Sequence, residues 1–323
     1  MGHKVLITAR SFRTVRGEHW DLLEREGCDV VSSPYDRPLA EAEMVDLIGG
    51  VHGAVVGVDE VTARVIQAST DLKVIAKHGV GVDNIDLAAA TAAGIVVTNT
   101  PQANKVAVAE LTIALMLALA RRLVKQHQVV SEGGWARQMG TELAGKTLGL
   151  IGCGRVGQEV AKRARALEME VVFCDQRTLE VPGARQVSLD ELLAQSDYVS
   201  VHVPYMPETH HILDAEAFGK MKDGVYVINT ARGGTVDEAA LHEAVVAGKV
   251  AGAALDVRPK EPPPPDDALN TLENVILTPH AGATTREAVL RMAKTATESL
   301  LAVLKGERPT NVVNPEVYAK SRG

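Results

Sequence analysis

A chain of 323 residues, 46% hydrophobic and 23% charged, has the composition of a folded globular protein and the length of two domains. Its net charge of −7, with no block of Lys and Arg, argues against nucleic acid as a direct partner. Aromatics at 3% leave the core to Val, Leu, Ile and Ala, and the three cysteines, Cys28, Cys153 and Cys174, are expected as small buried hydrophobes in a reducing compartment.

From the start, short apolar runs alternate with amphipathic stretches. Strands are expected at Lys4–Thr8, Asp29–Val31, Gly53–Val58, Lys73–Ala76 and Ile95–Thr98. Helices are expected over Val15–Glu26, Ala40–Ile48, a short segment capped by Thr62 and running through Ala68, and Leu87–Ala93, which Gly94 ends. Such alternation implies a parallel sheet with helices on both faces. The first run, Lys4–Ile7, is too short to be read as a signal peptide. A domain boundary falls near Thr100-Pro101.

Asn104–Arg122 then reads as a long helix, apolar nearly all round, expected to bridge two domains and to help form a homodimer interface. Its most apolar part, Val106–Ala120, contains Glu110 and falls short of the ~20 residues that a membrane span needs. A cytoplasmic protein with no membrane contact is therefore expected. The polar stretch Ser131–Gly145, with Gly133-Gly134-Trp135, reads as an irregular connection or dimer arm.

The next stretch organises the chain. Thr147–Ile151 is a short apolar strand, followed by Gly152, Gly154 and Gly157 in the spacing G-x-G-x-x-G. Gly152 allows a tight turn, Gly154 lets the backbone approach a pyrophosphate, and Gly157 lets a helix pack close to the strand. The helix start offers free N–H groups and a partial positive charge to the phosphates. Val156, Val160, Ala161, Ala164 and Leu167 form its apolar stripe. A second strand, Glu170–Cys174, ends in Asp175, 18 residues past Gly157. That is close to the ~20 expected of a partner for a ribose 2′-hydroxyl. Asp175 favours NAD over NADP, because a carboxylate repels a 2′-phosphate, although Arg177 stands near enough to receive one.

Further on, Asp190–Gln195 and Glu238–Ala247 are expected helices, and Tyr198–Val203, Val225–Asn229, Ala251–Val257 and Val275–Leu277 expected strands. Glu261 opens a run of four prolines that can be neither helix nor central strand. A last helix starts at Thr284 or Thr285 and runs to about Leu304, and the tail Arg308–Gly323 returns to the first domain. Two α/β domains result. Residues 1–100 with 287–323 form a discontinuous substrate domain, and 101–286 an inserted dinucleotide-binding domain.

Ligands of an open α/β sheet sit beyond the carboxyl ends of its strands. In the second domain those ends carry the glycine loop, Asp175, His202-Val203-Pro204, Thr230-Ala231-Arg232-Gly233-Gly234, Asp256–Glu261 and Pro279-His280-Ala281-Gly282. Arg232, Glu261 and His280 thus converge. Arginine offers a planar fork to a substrate carboxylate, histidine exchanges a proton with a carbonyl or hydroxyl oxygen, and glutamate orients the histidine. With a hydride from NADH, this set describes the interconversion of a 2-keto acid and a 2-hydroxy acid. His202, followed by Pro204, is expected to line the cofactor site rather than to transfer a proton. His210-His211 reads as a solvated pair, and no metal site is expected, since neither H-x-x-x-H nor C-x-x-C is present.

At several points the chain resembles the D-isomer-specific 2-hydroxyacid dehydrogenases, and within them the 3-phosphoglycerate dehydrogenase-like branch. The matching stretches are HGVGVDNID (His78–Asp86), NTPQANKVAVAELTIALMLALAR (Asn99–Arg121), GLIGCGRVGQEVA (Gly149–Ala161), NTARGGTVDEAAL (Asn229–Leu241), AGAALDV (Ala251–Val257), KEP (Lys260–Pro262) and TPHAGATT (Thr278–Thr285). The resemblance implies a flavodoxin-like substrate domain, a Rossmann NAD-binding domain, a cleft between them and a homodimer. It places the substrate-binding arginine at Arg232, the glutamate at Glu261 and the general acid/base at His280. Cofactor contacts fall on Arg155, Val156, Asp175, Val203, Thr230, Ala231 and Asp256. The loop Lys77-His78-Gly79-Val80-Gly81 would lie against the substrate, with Val80 also near the nicotinamide.

Two departures bear on the substrate. Arg258-Pro259 stands where the branch often has an aromatic, and Lys77-His78 where an arginine and a small residue are common. No regulatory small-molecule-binding domain is expected after Gly323, nor feedback by serine through one. The implied substrate is a small 2-hydroxy or 2-keto acid such as 3-phosphoglycerate, hydroxypyruvate or glyoxylate. The competing reading is an NAD(H)-sensing, corepressor-like binding protein with little turnover.

Overall fold

The computed structural model describes residues 2–319 and divides into two compact units. One holds the residues up to Asn104 together with those from Ala283 on, and the other is Lys105–Gly282. The first unit begins β1 (Lys4–Ile7), α1 (Arg10–Thr14), α2 (Glu18–Arg25), β2 (Asp29–Ser32), α3 (Glu41–Ile48) and β3 (Gly53–Val56). It continues with α4 (Ala63–Ala68), β4 (Val74–Lys77), α5 (Leu87–Ala92) and β5 (Val96–Thr98). The strands form one five-stranded sheet in the order β2-β1-β3-β4-β5, every pair parallel. This is the flavodoxin-like doubly wound order. The inner strands β3 and β4 are buried along their whole length, as strands covered on both faces must be.

Local chemistry starts the helices. The Thr62 hydroxyl accepts the Val65 N–H, and the Asp86 carboxylate accepts the Ala89 N–H at 2.9 Å. The helix expected over Val15–Glu26 is the shorter α2, and α1 precedes it where no helix was expected, with an extended break at Val15–Gly17 between the two. The break sits where Gly17 meets a neighbouring helix: a Cβ there would stand 2.6 Å from Leu290 Cδ2.

The second unit runs α6 (Lys105–Ala120), α7 (Leu123–Ser131), β6 (Thr147–Ile151), α8 (Arg155–Ala166), β7 (Glu170–Cys174), β8 (Arg185–Gln186), α9 (Leu189–Gln195) and β9 (Tyr198–Val201). After these come α10 (Ala215–Lys220), β10 (Val225–Asn229), α11 (Glu238–Val246), β11 (Val250–Leu255) and β12 (Val275–Leu277). Its seven strands are ordered β12-β11-β10-β9-β6-β7-β8, all parallel, so the order reverses between β6 and β9. That reversal is the switch point at which a doubly wound sheet opens a crevice. Hydrophobic clusters fill both faces, with Tyr198 and Tyr226 stacked at 4.9 Å on one of them.

Helices α7 and α10 and the short β8 lie where no element was expected. No residue of α7 is buried, and α10 is a six-residue helix started by Asp214, which accepts the Ala217 N–H at 2.8 Å. The chain then returns to the first unit as α12 (Arg286–Leu304), capped by Thr285 and packed on β3, β4 and α2. Beyond it Val312 bridges to Thr98, and the Asn314 side chain bonds Val97 N and Ile95 O at 2.8 and 2.9 Å. Residues 320–323 of the expected returning tail lie outside the described residues.

Candidate active site

The turn between β6 and α8 shows why three glycines are needed. Gly152 has φ +92°, and a Cβ on it would press against Val203 Cγ1 at 2.8 Å and the His202 backbone at 3.0 Å. A Cβ on Gly157 would stand 2.5 Å from the Gly152 carbonyl oxygen, so only glycine lets α8 approach the turn this closely. Gly154 faces open space, with only Arg177 Nη2 near it, at 3.9 Å. No side chain caps α8 at Gly154, which leaves its first N–H groups and the positive end of its dipole facing that space, flanked by Arg155 and Val156. These features fit a pyrophosphate.

Asp175, at the end of β7, fits the ribose. Its carboxylate accepts the Cys153 N–H and the Arg177 N–H, both at 3.0 Å, and is paired with the Arg177 side chain at 3.2 Å. Burial raises its pKa, but Arg177 and the two backbone donors outweigh that and hold it below the ordinary carboxylate range. It is an anion at neutral pH. The ion pair is exposed on the arginine side, where solvent weakens it.

His202-Val203-Pro204 follows β9. The His202 ring is partly buried and bonded through Nε2 to Ser200 Oγ at 2.9 Å, and loss of hydration lowers its pKa to about 4. It is a neutral wall residue at pH 7, not a proton-transfer group. Thr230 is buried and bonds the Thr112 hydroxyl at 2.9 Å, and the Ala231 N–H donates to Asn229 Oδ1 at 3.0 Å. Asn229 also donates to the Arg232 carbonyl oxygen at 2.8 Å, and Arg232 Nη1 donates to the Ala231 carbonyl oxygen at 2.7 Å. Asn229 thus shapes the turn that presents the arginine. It stood inside a quoted motif, but only its place in the fold reveals that task.

His280 and Glu261 form a direct pair, with Nδ1 to Oε2 at 2.8 Å. The other carboxylate oxygen accepts the Arg258 N–H at 3.1 Å. Burial pushes the Glu261 pKa up, while the His280 bond and charge, the Arg258 N–H and the Arg232 charge together bring it below the ordinary value. An ionised Glu261 can only accept, so Nδ1 of His280 carries the hydrogen and Nε2 is left to face a ligand. His280 sits at φ +52°, a left-handed conformation uncommon for a side-chain-bearing residue.

Asp256 holds it there. The carboxylate is buried and accepts Thr278 Oγ1 at 2.6 Å, the Ala281 N–H at 2.7 Å and the Gly282 N–H at 2.8 Å. The His280 N–H adds a bond to the Asp256 carbonyl oxygen at 2.8 Å. Asp256 and Gly282 therefore clamp the turn that aims His280.

The loop after β4, in the first unit, is divided between inside and outside. Lys77 is buried, and its ammonium donates to the Gly57 carbonyl oxygen at 2.5 Å and to Asn84 Oδ1 at 2.6 Å. His78 is buried beside Phe12, 3.4 Å from Ser11 Oγ, and lost hydration lowers its pKa to about 4. Gly79 O accepts the Thr100 N–H at 2.8 Å, Val80 is exposed, and Gly81 is partly so. The solvent-facing part of this loop is Gly79–Gly81.

His210 and His211 stack at 3.8 Å, with Tyr205 Oη 3.2 Å from His210 and Asp237 3.7 Å from His211. Among the described residues no group of three or more His, Cys, Asp or Glu is placed to hold a metal ion.

Residues 113–282 match the family model described as D-isomer specific 2-hydroxyacid dehydrogenase, NAD binding domain. A D-3-phosphoglycerate dehydrogenase of Archaeoglobus fulgidus is 53% identical over 261 residues, which is 79% of this chain and 50% of that protein. The chain thus spans about half the length of that relative. A glyoxylate reductase of Thermofilum pendens is 42% identical over 306 residues, covering 91% of this chain and 90% of that one. A solved structure from Thermus thermophilus is 42% identical and superposes with a TM-score of 0.89, covering 96% of this chain and 99% of its own. With its two parallel-sheet domains, glycine loop and acid-ended second strand, the chain belongs to the D-isomer specific 2-hydroxyacid dehydrogenase family.

Proposed function

We propose that the protein is an NAD-dependent oxidoreductase that transfers a hydride between nicotinamide and a small D-2-hydroxy acid or the corresponding 2-keto acid. The observation that carries this reading is the 2.8 Å Glu261–His280 pair with the Arg232 charge beside it. In this reading the second unit is the NAD-binding domain and the first the substrate domain. The glycine loop with Arg155 and Val156 receives the pyrophosphate, Asp175 the ribose, and His202, Val203, Pro204, Thr230 and Ala231 line the nicotinamide side. Asp256 and Gly282 act there through the His280 turn. Bound in this way, NADH supplies the hydride.

The chain's own groups do the rest. The Arg232 guanidinium grips the substrate carboxylate in a planar fork, which sets the neighbouring carbonyl carbon in place. His280 delivers a proton from Nε2 to the carbonyl oxygen during reduction and takes it back in the reverse direction, while Nδ1–H stays on Glu261. Glu261 stabilises the ring when it is charged and fixes its orientation. Within the first unit, Gly79-Val80-Gly81 is the proposed substrate-facing edge, and Lys77 and His78 support it from inside. Candidate substrates are 3-phosphoglycerate, hydroxypyruvate and glyoxylate.

Two coarser features complete the reading. Trp135 and Met139, 85% and 90% exposed, follow α7 with its exposed Leu123, Val124 and Val130, an apolar arm suited to a second copy of the chain in a homodimer. No helix among the described residues is long and apolar enough to cross a membrane. Cys153 and Cys174, free and kept protonated by burial at pKa values of about 12 and 11, suit a reducing compartment, so the cytoplasm is the proposed location.

The test is NADH oxidation at 340 nm against glyoxylate, hydroxypyruvate and 3-phosphohydroxypyruvate, with NADPH in parallel and NADH binding measured separately. Turnover of one of these acids with preference for NADH is expected. NADH binding without turnover of any 2-keto acid would overturn the enzyme reading in favour of an NAD(H) sensor.

A further inference from the structure

Arg258 stands where the resemblance implies an aromatic residue. In the structure its side chain is only 6% exposed and sits between two acids. Nε and Nη2 form a two-pronged contact with Glu238 at 2.5 and 2.9 Å, and Nη2 reaches Asp267 at 2.9 Å. Glu238 is the first residue of α11, directly after the turn that presents Arg232. Asp267 lies at the far end of the proline run that Glu261 opens and accepts the Leu269 N–H at 3.0 Å. One guanidinium therefore ties both ends of the 258–267 segment to the start of α11.

The backbone of Arg258 reaches the site in two directions. Its N–H donates to Glu261 Oε1 at 3.1 Å, the oxygen opposite the one that holds His280. Its carbonyl group lies so close to Gly233 that a Cβ there would overlap it. The turn after Arg232 and the loop bearing Glu261 are thus packed backbone to backbone, and the Arg258 fork sets their spacing. A planar fork held at both prongs permits one orientation, whereas a flexible ammonium permits many. An aromatic side chain would fill the volume without linking Glu238 to Asp267.

We infer that Arg258 is a positioning residue: through its buried ion pairs with Glu238 and Asp267 it holds the Arg258–Glu261 backbone so that Glu261 orients His280. The inference rests on the oxidoreductase reading for its kinetic consequence, though not for its geometric one. The Arg258 side chain is spent on Glu238 and Asp267, so its replacement is expected to act on kcat through Glu261 and to leave NADH affinity unchanged.

The experiment compares wild type, Arg258→Gln, Glu261→Gln and the double variant. Wild-type turnover of a 2-keto acid is measured first. The titration of the His280 ring is followed by NMR in the substrate-free protein, a reading that needs no activity. Arg258→Gln is expected to move the His280 midpoint in the same direction as Glu261→Gln and to lower kcat roughly tenfold to a hundredfold. NADH affinity should be unchanged, and the double variant should be no slower than Glu261→Gln, because both changes remove one device. Arg258→Lys should restore little, since a point charge cannot span both acids.

An unmoved His280 midpoint would overturn the inference, as would an effect that multiplies with that of Glu261→Gln. A variant that only melts earlier, with wild-type kcat and pH profile, would overturn it too. If Arg258→Gln does not fold, Glu238→Gln removes the two-pronged contact and keeps the other ion pair, and it is judged by the same readings. A moved midpoint in a protein that reduces no 2-keto acid would support the positioning role and refute only the proposed activity.

Discussion

Replacing Glu261 by glutamine changes no heavy-atom count, yet it cannot keep both hydrogen bonds of the side chain. Oε2 accepts from His280 Nδ1 at 2.8 Å and Oε1 accepts the Arg258 N–H at 3.1 Å, so both oxygens face donors. A carboxamide has one acceptor and one NH2 group. If its oxygen faces His280, the NH2 opposes the Arg258 N–H; if it faces Arg258, the NH2 opposes Nδ1–H and drives the ring toward the other tautomer. In either pose the negative charge beside the ring is gone.

A hydrogen bond to a charged group contributes about 1.5–3 kcal/mol, so kcat for a 2-keto acid should fall roughly tenfold to 150-fold. NADH affinity, which the proposed function assigns to the glycine loop and Asp175, should not change. The pH dependence has a definite sign. The folded pKa of Glu261 lies below its unfolded value, so its stabilising contribution is complete above the unfolded pKa and is lost as pH falls through the folded one. Glu261→Gln should therefore be less sensitive to acid below about pH 4 than wild type. Steady-state kinetics at 340 nm, NADH fluorescence titration and urea unfolding at several pH values measure these effects. A variant with wild-type kcat, or one that loses NADH binding in proportion to its rate, would refute the role given to this carboxylate.

Three further predictions follow from particular contacts. Gly157→Ala sets a methyl group 2.5 Å from the Gly152 carbonyl oxygen and should cost about 1–3 kcal/mol of stability together with most of the NADH affinity; unchanged NADH affinity would remove the glycine loop from the cofactor site. Asp175→Ala takes away the anion at the end of β7, and with Arg177 retained it should weaken NADH binding and narrow the preference for NADH over NADPH, whereas unchanged discrimination would place the ribose elsewhere. His78 is buried and stays neutral down to about pH 4, while in the unfolded chain it takes up a proton near pH 6.5. Stability should thus fall with pH across that window by at most about 3 kcal/mol, and His78→Gln should flatten the fall in urea midpoint between pH 7 and 5; an equal slope in both proteins would rule this out.

The glycine turn, its flanking strands and the acid after β7 were legible in the sequence because each is a local rule. A turn that needs positive φ or a close helix needs glycine, a strand buried on both faces is a short apolar run, and the spacing between them follows from one βα unit. Strand ends could be read in the same way, and with them Arg232, Glu261 and His280 as residues on one edge. What α7 and α10 lacked was such a local mark: one buries no side chain and the other is six residues long.

The tertiary structure alone decided the contacts that make those residues work. Glu261 and His280 are 19 residues apart, and their bond depends on Asp256 clamping the 278–282 turn and on the backbone of Arg258. Arg258 looked like a mere departure until its fork met Glu238 and Asp267, residues before and after it on separate elements. Lys77 and His78 were expected to lie against the substrate, and the fold turned one onto Gly57 and Asn84 and the other onto Phe12 and Ser11. Periodicity and spacing are set by the helix and the strand, each within a few residues. Which carboxylate meets which histidine, and which cation is turned inward, is set by packing between segments far apart in the chain, where burial and charge act through space.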